Sequence, residues 1–271
     1  MNYTTLFLTA IISLISCQQI DPIEDLIPKK FEKISQLAAL NGLGPVLHEA
    51  VGTIAVTDLK SFGSEALWGG DAATGISGSF YDATGRVLHG PIVMGDIVVH
   101  PDIDIQYYSS QGEHRKTVQN YMGFNQIISL FPINGGEVPL VEESIYLPRQ
   151  LYVHDPFVRG GEGRISTGST INWNADPNNH NGVFILLDYL PADEENAGLP
   201  SVDYLAHQKL LYTEDSGIYR FKPSDFQKIP DGGYTNILIG RGDYVFATGT
   251  DQETYIVYSF SGATTSFYID K

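Results

Sequence analysis

Three short strings hold the residue types that ligand or substrate chemistry needs. The first runs from Asp176 to Gly182, DPNNHNG. Asp176 and Asn178 stand at alternate positions, as in a calcium loop that needs alternating oxygen ligands and a terminal carboxylate. His180 occupies an oxygen-ligand place, however, the glycine comes one residue late, and Leu187 stands where the bidentate Glu belongs. The string reads first as a polar hairpin turn, with Asp176 and Asn178 as weak metal candidates. The second, His100-Pro101-Asp102-Ile103-Asp104, sets Asp102 and Asp104 on one face of a strand. They could serve as a metal or carboxylate pair, or as solvent-facing residues of an edge strand. The third, Arg241-Gly242-Asp243, spells an integrin-type tripeptide but reads more simply as a turn between strands. No cofactor is implied.

Hydrolytic motifs are missing: the sequence contains neither HExxH nor GxSxG. A glycoside hydrolase needs two carboxylates facing across a cleft. Glu142, Glu143, Asp102 and Asp104 qualify only because 32 acidic residues make some pair available. The seven histidines are scattered, and His154-Asp155 reads as a turn. Residues 160–164, GGEGR, lack the lysine and Ser/Thr of a phosphate-binding loop and read as a linker. The two tryptophans, Trp68 and Trp173, are the candidate ligand-binding residues, because a flat ring stacks on a sugar face. Trp68 sits among Gly69, Gly70 and Asp71, which favours exposure. Trp173 reads first as the core tryptophan of a sandwich strand.

The single cysteine, Cys17, has no partner for an internal disulfide. It ends the run LFLTAIISLISC, and Leu14-Ile15-Ser16 before it resembles a bacterial lipobox. The resemblance implies lipidation of Cys17 and attachment to a membrane through that lipid. Residues 6–15 also fit the core of an ordinary secretory signal, and no Lys or Arg precedes them. The run is shorter than the roughly 20 apolar residues that a membrane-crossing helix requires. After Cys17 comes a polar, acidic tether with Asp21, Glu24 and Asp25. The sequence PKKFEKISQLAALNG then predicts one short helix, with Phe31, Ile34, Leu37 and Ala38 at helical spacing and Asn41-Gly42 as its stop.

Composition bounds the rest. The net charge of −16 repels nucleic acid, so a nucleic-acid partner is excluded. Helical periodicity nearly vanishes after residue 50. Short alternating runs rich in 16 Tyr and 13 Phe, punctuated by 28 Gly, predict strands and turns. The expected fold is all-β: two immunoglobulin-like β-sandwich modules, 51–160 and 165–271, following a signal (1–17) and a tether with its helix (18–50). In the second module, Asp215 to Tyr219 (DSGIY) resembles an immunoglobulin tyrosine corner, whose hydroxyl bonds back to nearby backbone. Ser224 and Gln227 fit a capping box for the turn that follows.

Taken together, SGSFYDATGRVLHGPIVMGDI, SIYLPRQLYV, STGSTINWNADPNNHNGVFILLDY and EDSGIYRFKPSDFQKIP resemble surface lipoproteins of the Bacteroidota. The most specific string is Ile171-Asn172-Trp173-Asn174 leading through Asp176-Pro177-Asn178-Asn179 to Gly182-Val183. The resemblance implies an all-β, lipid-anchored, surface-exposed protein of the outer membrane and carries no catalytic residues. The expected function is structural or binding, without catalysis; a glycan or an outer-membrane protein is the expected partner. A glycan-binding accessory of a polysaccharide-uptake system is the alternative, and a glycoside hydrolase stands behind both.

Overall fold

The computed structural model describes residues 28–43, 50–62, 74–102, 107–110, 114–155, 163–190, 207–230 and 234–270. The expected helix is present. A 3-10 turn at Lys29–Phe31 runs into helix α1, Glu32–Ala38, and the segment ends at Gly42, whose φ of 81° suits glycine. Phe31, Ile34, Leu37 and Ala38 are all buried, so the predicted apolar face is the packed one. A second helix, α2 (Arg115–Tyr121), lies in the part of the chain where helical periodicity nearly vanishes and was not expected. The strand that follows it begins at Asn125.

The rest is strand, and the fold is all-β with open, sandwich-like sheets. In chain order the strands are β1 (Gly52–Phe62), β2 (Thr74–Asp82), β3 (Gly85–Arg86), β4 (Ile92–Met94), β5 (Ile97–Val99), β6 (Pro101–Asp102) and β7 (Tyr107–Ser109). There follow β8 (Asn125–Leu130), β9 (Val141–Tyr146), β10 (Val153–Asp155), β11 (Arg164–Ile165) and β12 (Thr170–Trp173). The chain continues with β13 (Val183–Leu190), β14 (Gln208–Thr213), β15 (Ile218–Arg220), β16 (Tyr234–Thr248) and β17 (Thr254–Ile269).

A large sheet runs β14-β13-β16-β17-β1-β2-β7-β6, with β11 on β17 and β3 on β2. Two smaller sheets, β5-β4-β8-β9 and β10-β12-β15, complete the fold. The large sheet crosses the expected boundary between the modules, because β1 pairs in parallel with β17 from Gly52↔Tyr255 to Phe62↔Thr265. The reason is strand length. At about 3.3 Å per residue, the 16 residues of β17 reach far enough to floor two cores.

Those cores are distinct. In the first, Ile54, Val56 and Ile76 of the large sheet pack against Met94, Ile128 and Ile145 of the four-stranded sheet. In the second, Ile185, Ile239 and Phe267 pack against Ile171, Trp173 and Phe226. Helix α1 covers the opposite face of the large sheet, where Ile34 and Leu37 meet Phe184 and Phe260. Gly242 permits this approach. A Cβ there would run into the Ser259 carbonyl oxygen and lie 2.8 Å from Leu37 Cδ2.

Candidate functional site: a polar seam between the two cores

Alternate residues of a strand share a face, so β17 can be read along its inner side. Tyr255 and Val257 belong to the first core, and Ala263, Phe267 and Ile269 to the second. Between them stand Ser259 and Ser261, both fully buried. Their β16 partners are Asp243 and Arg241. On β1, Asp58 lies opposite Ser261, and Thr74 of β2 lies opposite Asp58. A polar band therefore crosses four neighbouring strands between two apolar cores.

The band has a structural cause. Residues 147–152 join β9 to β10 and cross the sheet here as irregular chain, with Leu147 and Leu151 fully buried. Buried backbone without a ladder must find other hydrogen-bond partners. Ser259 Oγ donates to Tyr146 O at 2.7 Å. Leu151 N donates to Ser261 Oγ at 2.9 Å, and Arg149 N to Asp176 Oδ2 at 2.8 Å. The Arg241 guanidinium supplies the other half. Nε and Nη2 donate to Arg149 O at 3.1 and 2.9 Å, and Nη2 also to Gln150 O at 3.1 Å. Nη1 donates to Asn174 O at 2.8 Å and to Asp215 Oδ2 at 3.0 Å. These contacts use the fork's full set of N–H donors. Asp215 balances the charge and also accepts from Trp173 Nε1 at 2.8 Å and Asn179 Nδ2 at 2.9 Å.

Several sequence expectations change in this light. Arg241-Gly242-Asp243 is not a turn: it lies inside β16, and Arg241 is 0% exposed, which removes it from integrin-type recognition. Trp173 is 3% exposed and hydrogen-bonded inside the second core, so its ring has no face to offer a ligand. Asp176 is 1% exposed and fully engaged. It accepts from Tyr146 Oη (2.9 Å to each oxygen), Arg149 N and Asn178 N (3.1 Å), which leaves no lone pair directed at a metal. Burial and this bond push the Tyr146 hydroxyl up to about 12. Asn178 is exposed and gives its backbone N–H to the turn. The polar-turn reading of DPNNHNG is the one seen, with Asn179 N bonded to Asp176 O and Gly182 at a φ of 85°.

Tyr219 does not form an immunoglobulin corner. Its hydroxyl donates to the Asp225 carboxylate at 2.8 Å, and the same oxygen accepts Lys222 N at 2.8 Å. Asp225, rather than the predicted Ser224 and Gln227, therefore organises the turn at Pro223–Phe226. His154 and Asp155 lie in strand β10 instead of a turn. Glu142 and Glu143 are successive residues of β9 and point to opposite faces, so they make no facing pair. Asp102 is exposed at the end of β6. Cys17, Trp68 and Asp104 lie outside the described residues. Among the described residues no cluster of three or more His, Cys, Asp or Glu is gathered for a metal.

Hollows among the described residues include the following pair. A cleft of about 430 Å³ lies between the start of α1 and the 176–182 and 214–216 turns, with Lys30, Asn179 and His180 around it and Asp176 and Asp215 among its lining. Both carboxylates are saturated by the bonds above. Lys30 is paired across the cleft with Glu214 at 3.0 Å. A smaller hollow of about 220 Å³ has His100 and His114 in its wall.

The seam is incompletely satisfied on its β1 side. Asp58 is 0% exposed. Its Oδ1 accepts from Thr74 Oγ1 at 2.7 Å and Gln119 Nε2 at 3.4 Å, but Oδ2 has no hydrogen-bond partner. Gln150 Oε1 accepts from Lys60 Nζ at 3.1 Å and Tyr152 Oη at 2.5 Å, while its Nε2 is buried with no partner. Lys60 Nζ stands 3.8 Å from Asp58 Oδ2 and 3.6 Å over the Tyr152 ring. Sequence reading missed Arg241, Asp215 and Asp58 as a group. The available signal was a polar pair, Ser259 and Ser261, at two successive inward positions of a long alternating strand. Comparison with protein-family models, with curated proteins and with solved structures found no match.

Proposed function

We propose that the chain is a lipid-anchored protein of the outer membrane, exposed at the cell surface, with a structural or binding role and no catalysis. The placement rests on Leu14-Ile15-Ser16-Cys17 ahead of an acidic tether. The role rests on one structural observation: three of the buried charges are spent on architecture. Asp176, Asp215 and Arg241 hold the crossing chain at 147–152, and each is saturated by internal donors or acceptors. A glycosidase acid must exchange a proton with substrate, and a carboxylate held by several fixed donors is poorly disposed to do so. Fatty-acid labelling of cells expressing the full chain tests the anchor: wild type carries label in the membrane fraction, and Cys17→Ser does not. Label retained on Cys17→Ser overturns it. Release of reducing sugar from polysaccharide by purified protein, abolished in Asp176→Asn, would overturn the non-catalytic reading.

A second reading, a glycan-binding accessory lipoprotein, is favoured by the open valences of Asp58 and Gln150 beside the partly exposed Tyr152. Carboxylate, carboxamide and aromatic ring are the groups that recognise sugar hydroxyls and faces.

A further inference from the structure

We propose that Asp58, Lys60, Gln150 and Tyr152 form a hydroxyl-binding site at the β1 end of the seam. A buried polar atom without a partner is costly and rare, and here two such atoms belong to side chains that both meet the Lys60 ammonium. Asp58 Oδ2 can only accept a hydrogen bond in its ionised form, and Gln150 Nε2 can only donate one. A hydroxyl does both, since its O–H donates to the carboxylate and its lone pairs accept from the amide.

Other ligand classes fit less well. A metal cation would face the Lys60 ammonium, 3.8 Å from the open carboxylate oxygen. An anion would face Asp58, which has no exposed surface. An apolar group would leave both orphan atoms unsatisfied. The neutral hydroxyl remains.

Access is graded. Asp58 is fully buried, the Lys60 side chain is 14% exposed, and Tyr152 is 38% exposed. Part of this wall is rigid. Asp58 is paired in the ladder with Thr74 and Ser261, and the backbone of Gln150 is held by Arg241 and Asn174. Lys60 lies on the Tyr152 ring and is bonded to Gln150 Oε1.

A hydroxyl of a neutral sugar and a single internal water present the same donor and acceptor. The partly exposed Tyr152 ring favours the sugar, and that arm rests on the glycan-binding reading above. Crystals of the full chain in detergent, soaked separately with glucose, galactose, mannose and xylose, distinguish the two. Sugar hydroxyls within hydrogen-bond distance of Asp58 Oδ2 and Gln150 Nε2 support the site with a glycan occupant. Calorimetric titration with that sugar then loses about tenfold or more in affinity for Gln150→Glu, which removes the donor but keeps Oε1 as an acceptor. Asp58→Asn serves as the second variant. One ordered water bonded to both atoms supports the hydroxyl site and overturns the glycan reading. Density for neither, or the two side chains turned to bond other protein groups, overturns the proposal.

Discussion

The two ends of the β16–β17 hairpin solve one packing problem with different parts. At one end, a four-stranded sheet and α2 close the first core around Phe80, Tyr108 and Tyr255, with the His89 ring edge-on to Phe80 at 4.9 Å. At the other, a three-stranded sheet and a short 3-10 turn close the second around Trp173, Phe221 and Phe226. Both ends meet polar atoms at their edges, the first through Tyr108 Oη and Tyr255 Oη and the second through Trp173 Nε1 and Tyr219 Oη. The first also packs the His89 imidazole against its aromatics. Between them the floor strands are continuous and only the lids are separate. A polar seam is then required, because one chain must pass from lid to lid across the floor.

The strongest test of that contrast removes one end. Residues 51–160 expressed alone lack β16 and β17, so the first core loses Ala247, Tyr255 and Val257 and β1 loses its parallel partner. We expect no cooperative unfolding transition from this fragment by circular dichroism. A fragment that melts cooperatively with mostly strand would show that the sheet is divisible after all.

Next in size is the seam. Arg241→Met leaves Asp215 as a buried charge with no cation and takes a donor from three carbonyl oxygens, of which Gln150 O keeps Asn174 Nδ2. Breaking a buried pair in this way costs about 3–5 kcal/mol. Arg241→Lys keeps the charge but not the planar fork, so denaturant melts should place it between the wild type and Arg241→Met. Equal stability of Arg241→Met and wild type would mean that the crossing chain does not depend on this guanidinium.

Gly242→Ala probes the opposite face at the same level. A methyl group there meets the Ser259 carbonyl oxygen, a backbone atom that cannot swing aside, and crowds Leu37 of α1. We expect a loss of about 2–3 kcal/mol from overpacking, read in denaturant melts, with faster amide exchange in α1. An unchanged α1 would show that the helix can be lifted without cost.

These particular residues also show what the sequence could disclose. The α1 face was legible because Phe31, Ile34, Leu37 and Ala38 keep helical spacing in eleven amino acids or fewer, a local rule. Strand content was legible for the same reason. The seam was not, because its logic is long-range: Arg241 serves carbonyls at 149, 150 and 174. Nothing adjacent to Arg-Gly-Asp says that a crossing chain lies beneath it. The sheet shared by the two cores was not legible either, since parallel pairing of β1 with β17 joins residues some 200 positions apart. Tyr219 was found, but its partner was misassigned, because a carboxylate six residues on outcompetes backbone as an acceptor.

That tyrosine gives a smaller test, confined to the second end. Tyr219→Phe removes one donor from Asp225, which keeps Lys222 N, so the cost should be about 1–2 kcal/mol. Burial, with the bond to Asp225, raises the Tyr219 hydroxyl well above its ordinary value. Tyr212, packed near Phe31 (ring centroids 6.4 Å), is pushed up to about 12 by burial alone. Tyr212→Phe should therefore cost less than Tyr219→Phe in denaturant melts. The reverse order would move the anchoring role from the Asp225 turn to the α1 contact.

The smallest effect belongs to the first end and appears only as a pH slope. Burial among Phe80 and Tyr255 lowers the His89 imidazole below its ordinary value, and Asp251 offsets this only in part. The folded state therefore binds less proton than the unfolded chain. Stability from this group is complete above the unfolded value of about 6.5 and is lost as pH falls through it towards the folded value. His89→Phe keeps an aromatic ring but cannot titrate. Melting temperatures measured between neutral pH and the onset of carboxylate protonation should fall for wild type and fall less steeply for His89→Phe. Parallel slopes would remove His89 as the cause. The two ends would then differ only in how their lids are built, and not in how they respond to acid.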